Sequence, residues 1–443
     1  MQPKIIDLFS GCGGLSLGFQ KAGFEILLGV ELMEKACDTA NKNLDNRVGN
    51  KSRHICGDIT KMDPKDYLDL IGEEGCIVIG GPPCQAYSMA GKGKLRSLGE
   101  ERINTNDARG YLFQDFLRFV IGLDAKAAIM ENVPESINFG GKNIPEEVCI
   151  CLENNGYNAF WTILNAADFG VPQVRERVIL FAVKKDSGIT FNLPVPTHKN
   201  PDNRKTFYER RFDTIKNCPH FKMPVSSNEA DLDWTTVGQA LSDLPILYPE
   251  ADIEFIPIKM TEAFKYKSGC NSEYQKVMRT WCGKEETEVL NNSFRKTIRD
   301  FPIFERMKQG DNFRNAFEIA ENIFREQNLK FGYKEGTEEY SQLYKKIVPC
   351  YSKKKFVNKW KRLNENSQSH TVVAHLCKDT YSHINPWEPR GISVREAARL
   401  QSFPDGFIFE CSMGDAFKQI GNAVPPLLSY NVAKVIYEAF KEK

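Results

Sequence analysis

Over the first 190 residues, short apolar runs alternate with segments whose apolar positions recur at helical spacing. Lys4–Phe9 is a strand-like run that breaks at Gly11-Cys-Gly-Gly14, and Leu15–Ala22 takes up helical spacing directly after it. Further strands are predicted at Glu25–Val30, around Ile55, at Cys76–Ile79, at Ala127–Met130 and at Val178–Val183. This alternation predicts a doubly wound, Rossmann-like parallel α/β sheet. The first five runs each end on something with chemistry: the glycine cluster, Glu31, Asp58, Cys84 and Glu131. Open α/β sheets bind ligands at the edge formed by the carboxyl ends of their strands, so these residues are expected around one cleft.

From about Phe191 the alternation is lost and prolines cluster at 194, 196, 201, 219 and 224. Regular patterning returns at Ser393–Leu400, where Ser393 and Glu396 have the spacing of a capping box. The chain closes with Gln419-Ile-Gly-Asn-Ala-Val-Pro-Pro426 and an apolar helix, Leu427–Phe440. Residues 1–190 and 389–443 are therefore expected to form one domain, with 191–388 an inserted, irregular module.

Composition narrows the class. Of 443 residues, 41% are hydrophobic and 26% charged, which supports a sizeable core and excludes global disorder and fibrous repeats. No apolar run approaches the roughly 18 residues of a membrane span. The opening Met-Gln-Pro-Lys lacks the charged and apolar regions of a signal peptide. A cytoplasmic, nucleoid-associated protein without a membrane partner is expected. Thirteen cysteines without CxxC pairs suit reduced thiols. There is no HExxH, and Cys218-Pro-His220 lacks a partner pair, so no metal site is expected. Net charge is +1, but residues 191–390 hold 32 basic and 27 acidic side chains against 27 and 31 elsewhere.

Gly11-x-Gly13-Gly14 between a strand and a helix permits a tight turn and close backbone approach to a ligand. Glu31, about twenty residues on, is placed to accept from ribose hydroxyls, and Asp58 from an adenine amine. Together they predict an adenosine site, which nicotinamide-binding and S-adenosylmethionine-binding sheets share. Ser16 stands where the dinucleotide fingerprint wants a third glycine, and no segment offers a hydride-transfer site. Both points favour S-adenosyl-L-methionine over a nicotinamide cofactor.

Cys84 lies in Gly80-Gly-Pro-Pro-Cys-Gln85, where two prolines stiffen the approach of a thiol to the cleft, and is the candidate nucleophile. Glu131 in Glu131-Asn-Val133 is a carboxyl group at a strand end, suited to acid–base work. Gln173-Val-Arg-Glu-Arg177 presents Arg175 and Arg177 two positions apart. With Ile6-Asp-Leu-Phe-Ser-Gly-Cys-Gly-Gly14, Arg395-Glu-Ala-Ala-Arg-Leu-Gln-Ser-Phe-Pro404 and Gln419-Ile-Gly-Asn422, these segments resemble the ordered motif series of the DNA (cytosine-5) methyltransferases of bacterial and phage restriction–modification systems. The resemblance covers about 1–190 and 390–443.

That resemblance implies thiolate attack by Cys84 on C6 of cytosine, which makes C5 nucleophilic enough to accept a methyl group. It implies that Glu131 bonds N3 and the exocyclic amine, that Arg175 contacts O2, and that Arg177 supports the thiol's surroundings or the carboxylate. It assigns cofactor binding to Phe9, Gly11, Cys12, Gly14, Glu31, Leu32, Asp58, Ile59, Pro83, Leu112, Asn422 and Ala423. It places a target-recognition domain at 191–388 and implies double-stranded DNA with the target base flipped out of the stack.

For DNA contact, Ser88–Arg109 is glycine-containing and basic and reads as a mobile lid, with Gln85, Ser88, Lys92, Lys94 and Arg96 as candidates. Ser341–Asn364 has eight basic residues and no acidic one, with aromatics interleaved. Lys353, Lys354, Lys355, Lys359 and Lys361 are its phosphate candidates. Thr371–His383 is a further candidate, whereas the acidic stretch Asp231–Glu254 is expected to face away from phosphate. A monomer is expected. A restriction endonuclease sharing the recognition site, without needing to bind the protein, is the expected biological counterpart. The competing readings are a transfer-RNA cytosine-5 methyltransferase and a catalytically silent regulatory relative.

Overall fold

The structure, a computed structural model, describes residues 4–44, 47–48, 51–83, 112–201, 209–247, 257–297, 299–349 and 359–442. It divides into two compact units, 1–234 with 422–443, and 235–421.

The first unit is built on a seven-stranded sheet. Its strands are β1 (Lys4–Leu8), β2 (Ile26–Glu31), β3 (His54–Cys56), β4 (Cys76–Gly80), β5 (Ala127–Asn132), β6 (Tyr157–Asn165) and β7 (Glu176–Lys184), in the order β3-β2-β1-β4-β5-β7-β6. β1 pairs in parallel with both β2 and β4, and β4 in parallel with β5. β7 runs antiparallel to β5 and β6. The chain thus starts mid-sheet, winds outward to β3, and crosses back to β4. The switch point lies between β1 and β4, and open α/β sheets bind ligands there, at the carboxyl ends of their strands.

Both faces of the sheet are buried, which explains why the strands read as nearly continuous apolar runs. Ile5, Ile77, Ile79 and Ile129 point to one face, packed beneath α1 (Gly14–Ala22) and the last helix, Pro426–Lys441. Ile6, Leu8, Val78 and Met130 point to the other, covered by α3 (Phe113–Gly122) and α4 (Ile144–Asn154). α2 (Glu34–Asn43) follows β2. α1 and the last helix approach so closely that a Cβ at Gly18 would lie 2.4 Å from the Ser429 Cβ. The Ser429 hydroxyl donates to the Leu15 carbonyl at 2.6 Å.

The mostly parallel α/β sheet agrees with the sequence pattern. Two details differ: β6 had no counterpart among the expected strands, and β7 is antiparallel. The unit boundaries also lie elsewhere than the loss of alternation suggests. Residues up to Trp234 stay with the sheet because the segment 220–222 pairs along β6, with Trp161 N donating to His220 O and Lys222 N to Trp161 O, each at 2.9 Å. The Trp234 indole also bonds Asp168.

The second unit keeps 389–421. Arg399, fully buried, is held by Asp405 at 2.6 Å and Asp243 at 3.1 Å, and Arg390 by Glu396 and Glu388. Ser393 caps Val394–Leu400 in the expected capping box with Glu396. Its apolar core gathers Phe304, Phe313, Phe317, Phe324 and Trp360 around the helices Phe313–Phe331 and Glu338–Ile347.

Candidate active site

The loop leaving β1 carries the most constrained backbone. Phe9, Gly11 and Gly13 all have positive φ (60°, 56° and 89°), and Gly13 stands at the N-terminus of α1. A non-glycine residue there costs about 1–2 kcal/mol, and Phe9 bears this at the cleft. At Gly13 a side chain would also collide with Leu44. A Cβ at Gly11 would meet nothing within 4 Å, so its backbone fronts open space.

Glu31, the last residue of β2, ties this loop to the next. One carboxylate oxygen accepts from Gly11 N at 3.0 Å and the other from Met33 N at 2.8 Å. Each oxygen keeps further lone-pair capacity for a ligand hydroxyl. Leu32, beside it, is 68% exposed. Asp58 follows β3 and caps the turn Ile59–Lys61 by accepting from the Thr60 N–H and hydroxyl. The Thr60 hydroxyl is the main group holding the Asp58 carboxyl below the usual carboxylate range. Phe9 and Leu112 are half-buried against one core cluster, in which Ile59 is buried. Cys12 is buried, Gly14 opens α1, and Pro83 is half-buried after β4. Beneath the loop, Asp7 accepts from the Ser16 hydroxyl at 2.6 Å. Burial, opposed by that bond and reinforced by Glu31, pushes Asp7 up to about 7. Its second oxygen and the buried Ser10 hydroxyl have no hydrogen-bond partner among the described residues.

A second cluster lies at β5 and β7. Glu131 and Arg177 form an ion pair at 2.7 Å, with side chains 12% and 11% exposed. Arg177 also donates to Glu176 O. A Cβ on Gly81 would come 3.0 Å from the Glu131 carboxylate, so glycine there lets the β4 loop pass close to it. Asn132 reaches the same loop through Pro82 O at 3.5 Å. Arg175 is fully buried and donates to Ala423 O at 3.1 Å. Burial and then the neighbouring Arg177 depress its guanidinium well below the usual arginine range, against the pull of Glu131. Arg175 and Arg177 are both interior groups, Arg177 paired with the carboxylate and Arg175 anchored to the loop that follows Asn422.

Cys84, Gln85, Ser88, Lys92, Lys94, Arg96, Lys353, Lys354 and Lys355 lie outside the described residues, as does the expected lid. Lys359 is paired with Asp379 at 2.7 Å. Lys361 is partly buried, and desolvation lowers its ammonium below the usual lysine range. In the neighbouring stretch, buried His383 stacks on His370 with ring centroids 4.0 Å apart. Asn132 stood in the Glu131-Asn-Val133 segment without a role of its own, and Asn165 escaped the sequence reading because the strand it ends, β6, was not expected. Among the described residues no group of three or more His, Cys, Asp and Glu could hold a metal, and no helix is long and apolar enough to cross a membrane.

Comparison with known proteins places the whole chain. The family model described as C-5 cytosine-specific DNA methylase matches residues 3–438. A candidate type II methyltransferase of Oceanobacillus iheyensis is 52% identical over 445 residues, covering 99% of this chain and 95% of its own. The type II methyltransferase M.AgeI of Thalassovita gelatinovora is 30% identical over 464 residues, covering 98% and 99%. Among solved structures, a prophage-encoded candidate DNA modification methyltransferase from E. coli shares the fold, with a TM-score of 0.66 at 21% identity over 99% of this chain and 100% of that one.

Proposed function

Because the chain belongs to the C-5 cytosine-specific DNA methylase family, and is thereby a DNA cytosine-5 methyltransferase, we propose that it methylates C5 of a specific cytosine flipped out of double-stranded DNA, using S-adenosyl-L-methionine and a covalent Cys84–C6 intermediate. The observation that carries this reading is the buried Glu131–Arg177 pair beside Arg175, one strand over from the loop that leads to Cys84.

The first cluster fits the cofactor. Glu31 offers lone pairs suited to a ribose diol, Asp58 to an adenine amine, and Phe9 and Leu32 apolar surface to the purine. The open approach at Gly11 suits a polar amino-acid tail. Gly14, Cys12, Ile59, Pro83, Leu112, Asn422 and Ala423 complete the set. When bound, S-adenosylmethionine supplies an electrophilic methyl group.

The chain's own groups do the rest. The Cys84 thiolate bonds to C6 of cytosine, and electron density moves towards C5 and N3. Glu131, held in place by Arg177, hydrogen-bonds N3 and the exocyclic amine and supplies a proton to N3 as charge develops there. Arg175 donates to O2. Once C5 carries the methyl group, a base takes the C5 proton, the ring double bond re-forms as the Cys84 sulfur leaves, and the N3 proton returns to Glu131.

In this reading the unit of 1–234 and 422–443 carries cofactor and chemistry, and the target is read within 235–421. Lys353, Lys354, Lys355 and the segment after Cys84 contact phosphate. The protein acts as a cytoplasmic, nucleoid-associated monomer that protects host DNA from an endonuclease reading the same site. The test is methyl incorporation from labelled S-adenosylmethionine into duplex DNA and into transfer RNA. Incorporation into DNA that is abolished by Cys84→Ala is expected; incorporation into RNA alone would overturn the proposal.

A further inference from the structure

Asn165 ends β6, opposite Glu176 of β7 in the sheet register. Its side-chain oxygen accepts two backbone N–H groups. One is Ala167 N at 3.2 Å, which caps the turn Ala166–Phe169, and the other is Arg175 N at 3.3 Å. Ala166 N in turn donates to Arg175 O at 2.8 Å. Both backbone polar groups of Arg175 are thus gripped by two consecutive residues, Asn165 and Ala166. Arg175 is 1% exposed, so without the Asn165 oxygen its N–H would lose that partner inside the protein.

The amide has a second peculiarity. Asn165 is 8% exposed, and its buried Nδ2 has no hydrogen-bond partner among the described residues. A turn cap alone does not call for this residue. Serine is an equally good cap for the first N–H and would bury one donor hydrogen where the amide buries two. What serine lacks is the length to serve a second, more distant N–H. The residue is therefore matched to the double contact and not to the turn alone.

We infer that Asn165 is a positioning residue for the transfer reaction: by holding the backbone of Arg175 it fixes where that guanidinium sits between the Glu131–Arg177 pair and the Ala423 carbonyl. The inference rests on the methyltransferase reading of Arg175. A buried arginine offers a donor to the substrate only where its backbone places it, and small displacements of such a group lower the rate of the bound complex more than they weaken binding.

Three variants separate the cap from the grip. Asn165→Ala loses both contacts, Asn165→Ser keeps the turn cap only, and Asn165→Asp keeps both acceptor contacts. Steady-state transfer to duplex DNA is measured together with S-adenosylmethionine affinity and melting temperature. The Ala and Ser variants should lose about ten- to a hundredfold in kcat. Their KM for DNA and their cofactor affinity should stay within about threefold of the unmodified protein, the range in which positioning is the lost function. Ser should recover the melting temperature but not the rate, whereas Asp should recover most of the rate. A Ser variant at the unmodified rate, or an Asp variant no better than Ala, would overturn the inference. If Ala fails to fold, Ser and Asp decide alone. An unmodified protein that transfers no methyl group would overturn the methyltransferase reading, and this inference with it.

Discussion

Replacing Glu131 with glutamine would remove one charge from an interior that holds two arginines and one carboxylate. The Glu131–Arg177 contact is 2.7 Å, and both side chains are almost nine-tenths buried. At an effective dielectric near 20, charges about 4 Å apart attract by about 4 kcal/mol. Deleting one member of a buried pair costs about 3–5 kcal/mol, because the other is left buried and uncompensated. Glutamine keeps the shape and one neutral acceptor, so about 2–3 kcal/mol is expected for Glu131→Gln. For a unit of this size that corresponds to a fall of roughly 5–10 °C in melting temperature. Arg175 sharpens the effect, since its guanidinium is already disfavoured by burial and by Arg177 and favoured by Glu131. Removing both partners should undo much of the damage: Glu131→Gln with Arg177→Gln should melt well above the additive expectation. Methyl transfer should fall at least about a hundredfold in the single variant and not recover in the double, because the N3 contact is still missing. Melting by calorimetry and transfer to DNA are measured on the same preparations. A Glu131→Gln protein within 2 °C of the unmodified one, or a strictly additive double variant, would refute the coupled-cluster argument.

Other expectations follow from the cofactor side. Glu31→Ala frees both Gly11 N and Met33 N, and calorimetry should show at least about tenfold weaker S-adenosylmethionine binding; unchanged affinity would remove Glu31 from the site. Gly18→Ala places a Cβ 2.5 Å from Tyr430 N and should cost about 1–3 kcal/mol by overpacking, read as a lower melting temperature; a neutral result would mean the last helix shifts freely. Asp7 takes up its proton more readily when folded than unfolded, its carboxyl being pushed up to about 7 from 3.8. Its contribution therefore favours the folded state fully below about pH 4 and is lost as pH rises towards about 7. Asp7→Asn should flatten the decline of melting temperature across that window, and an unchanged slope would contradict the assignment.

The turn after β1 and the ends of β2 and β3 were legible because local rules are strict there: glycines at positive φ, a carboxylate closing β2, and Asp58 just after β3. β6 was not, because Ala159–Leu164 lies in a sheet buried on both faces and presents no alternation to read. The direction of β7 was equally hidden, since an apolar run carries no sign of whether its neighbour is parallel. Ser393–Leu400 was readable as a helix with its cap, yet its place in the second unit depends on the bonds of Arg399 to Asp243, more than 150 residues away. The roles of Asn132 and Asn165 arise only from backbone groups brought beside them by folding. Lys359 looked like a free cation in the chain and is paired with Asp379 in space.

The central claim is that a cysteine attacks cytosine in DNA at a site organised by Glu131 and Arg177. It is tested most directly by trapping the covalent adduct. The protein is incubated with S-adenosylmethionine and a mixed-sequence duplex containing 5-fluorocytosine, whose fluorine cannot leave as the C5 proton does. The account predicts a denaturation-resistant protein–DNA complex that requires the cofactor and disappears in Cys84→Ala. A complex that persists in Cys84→Ala, or one that forms only with similarly substituted RNA, would contradict it.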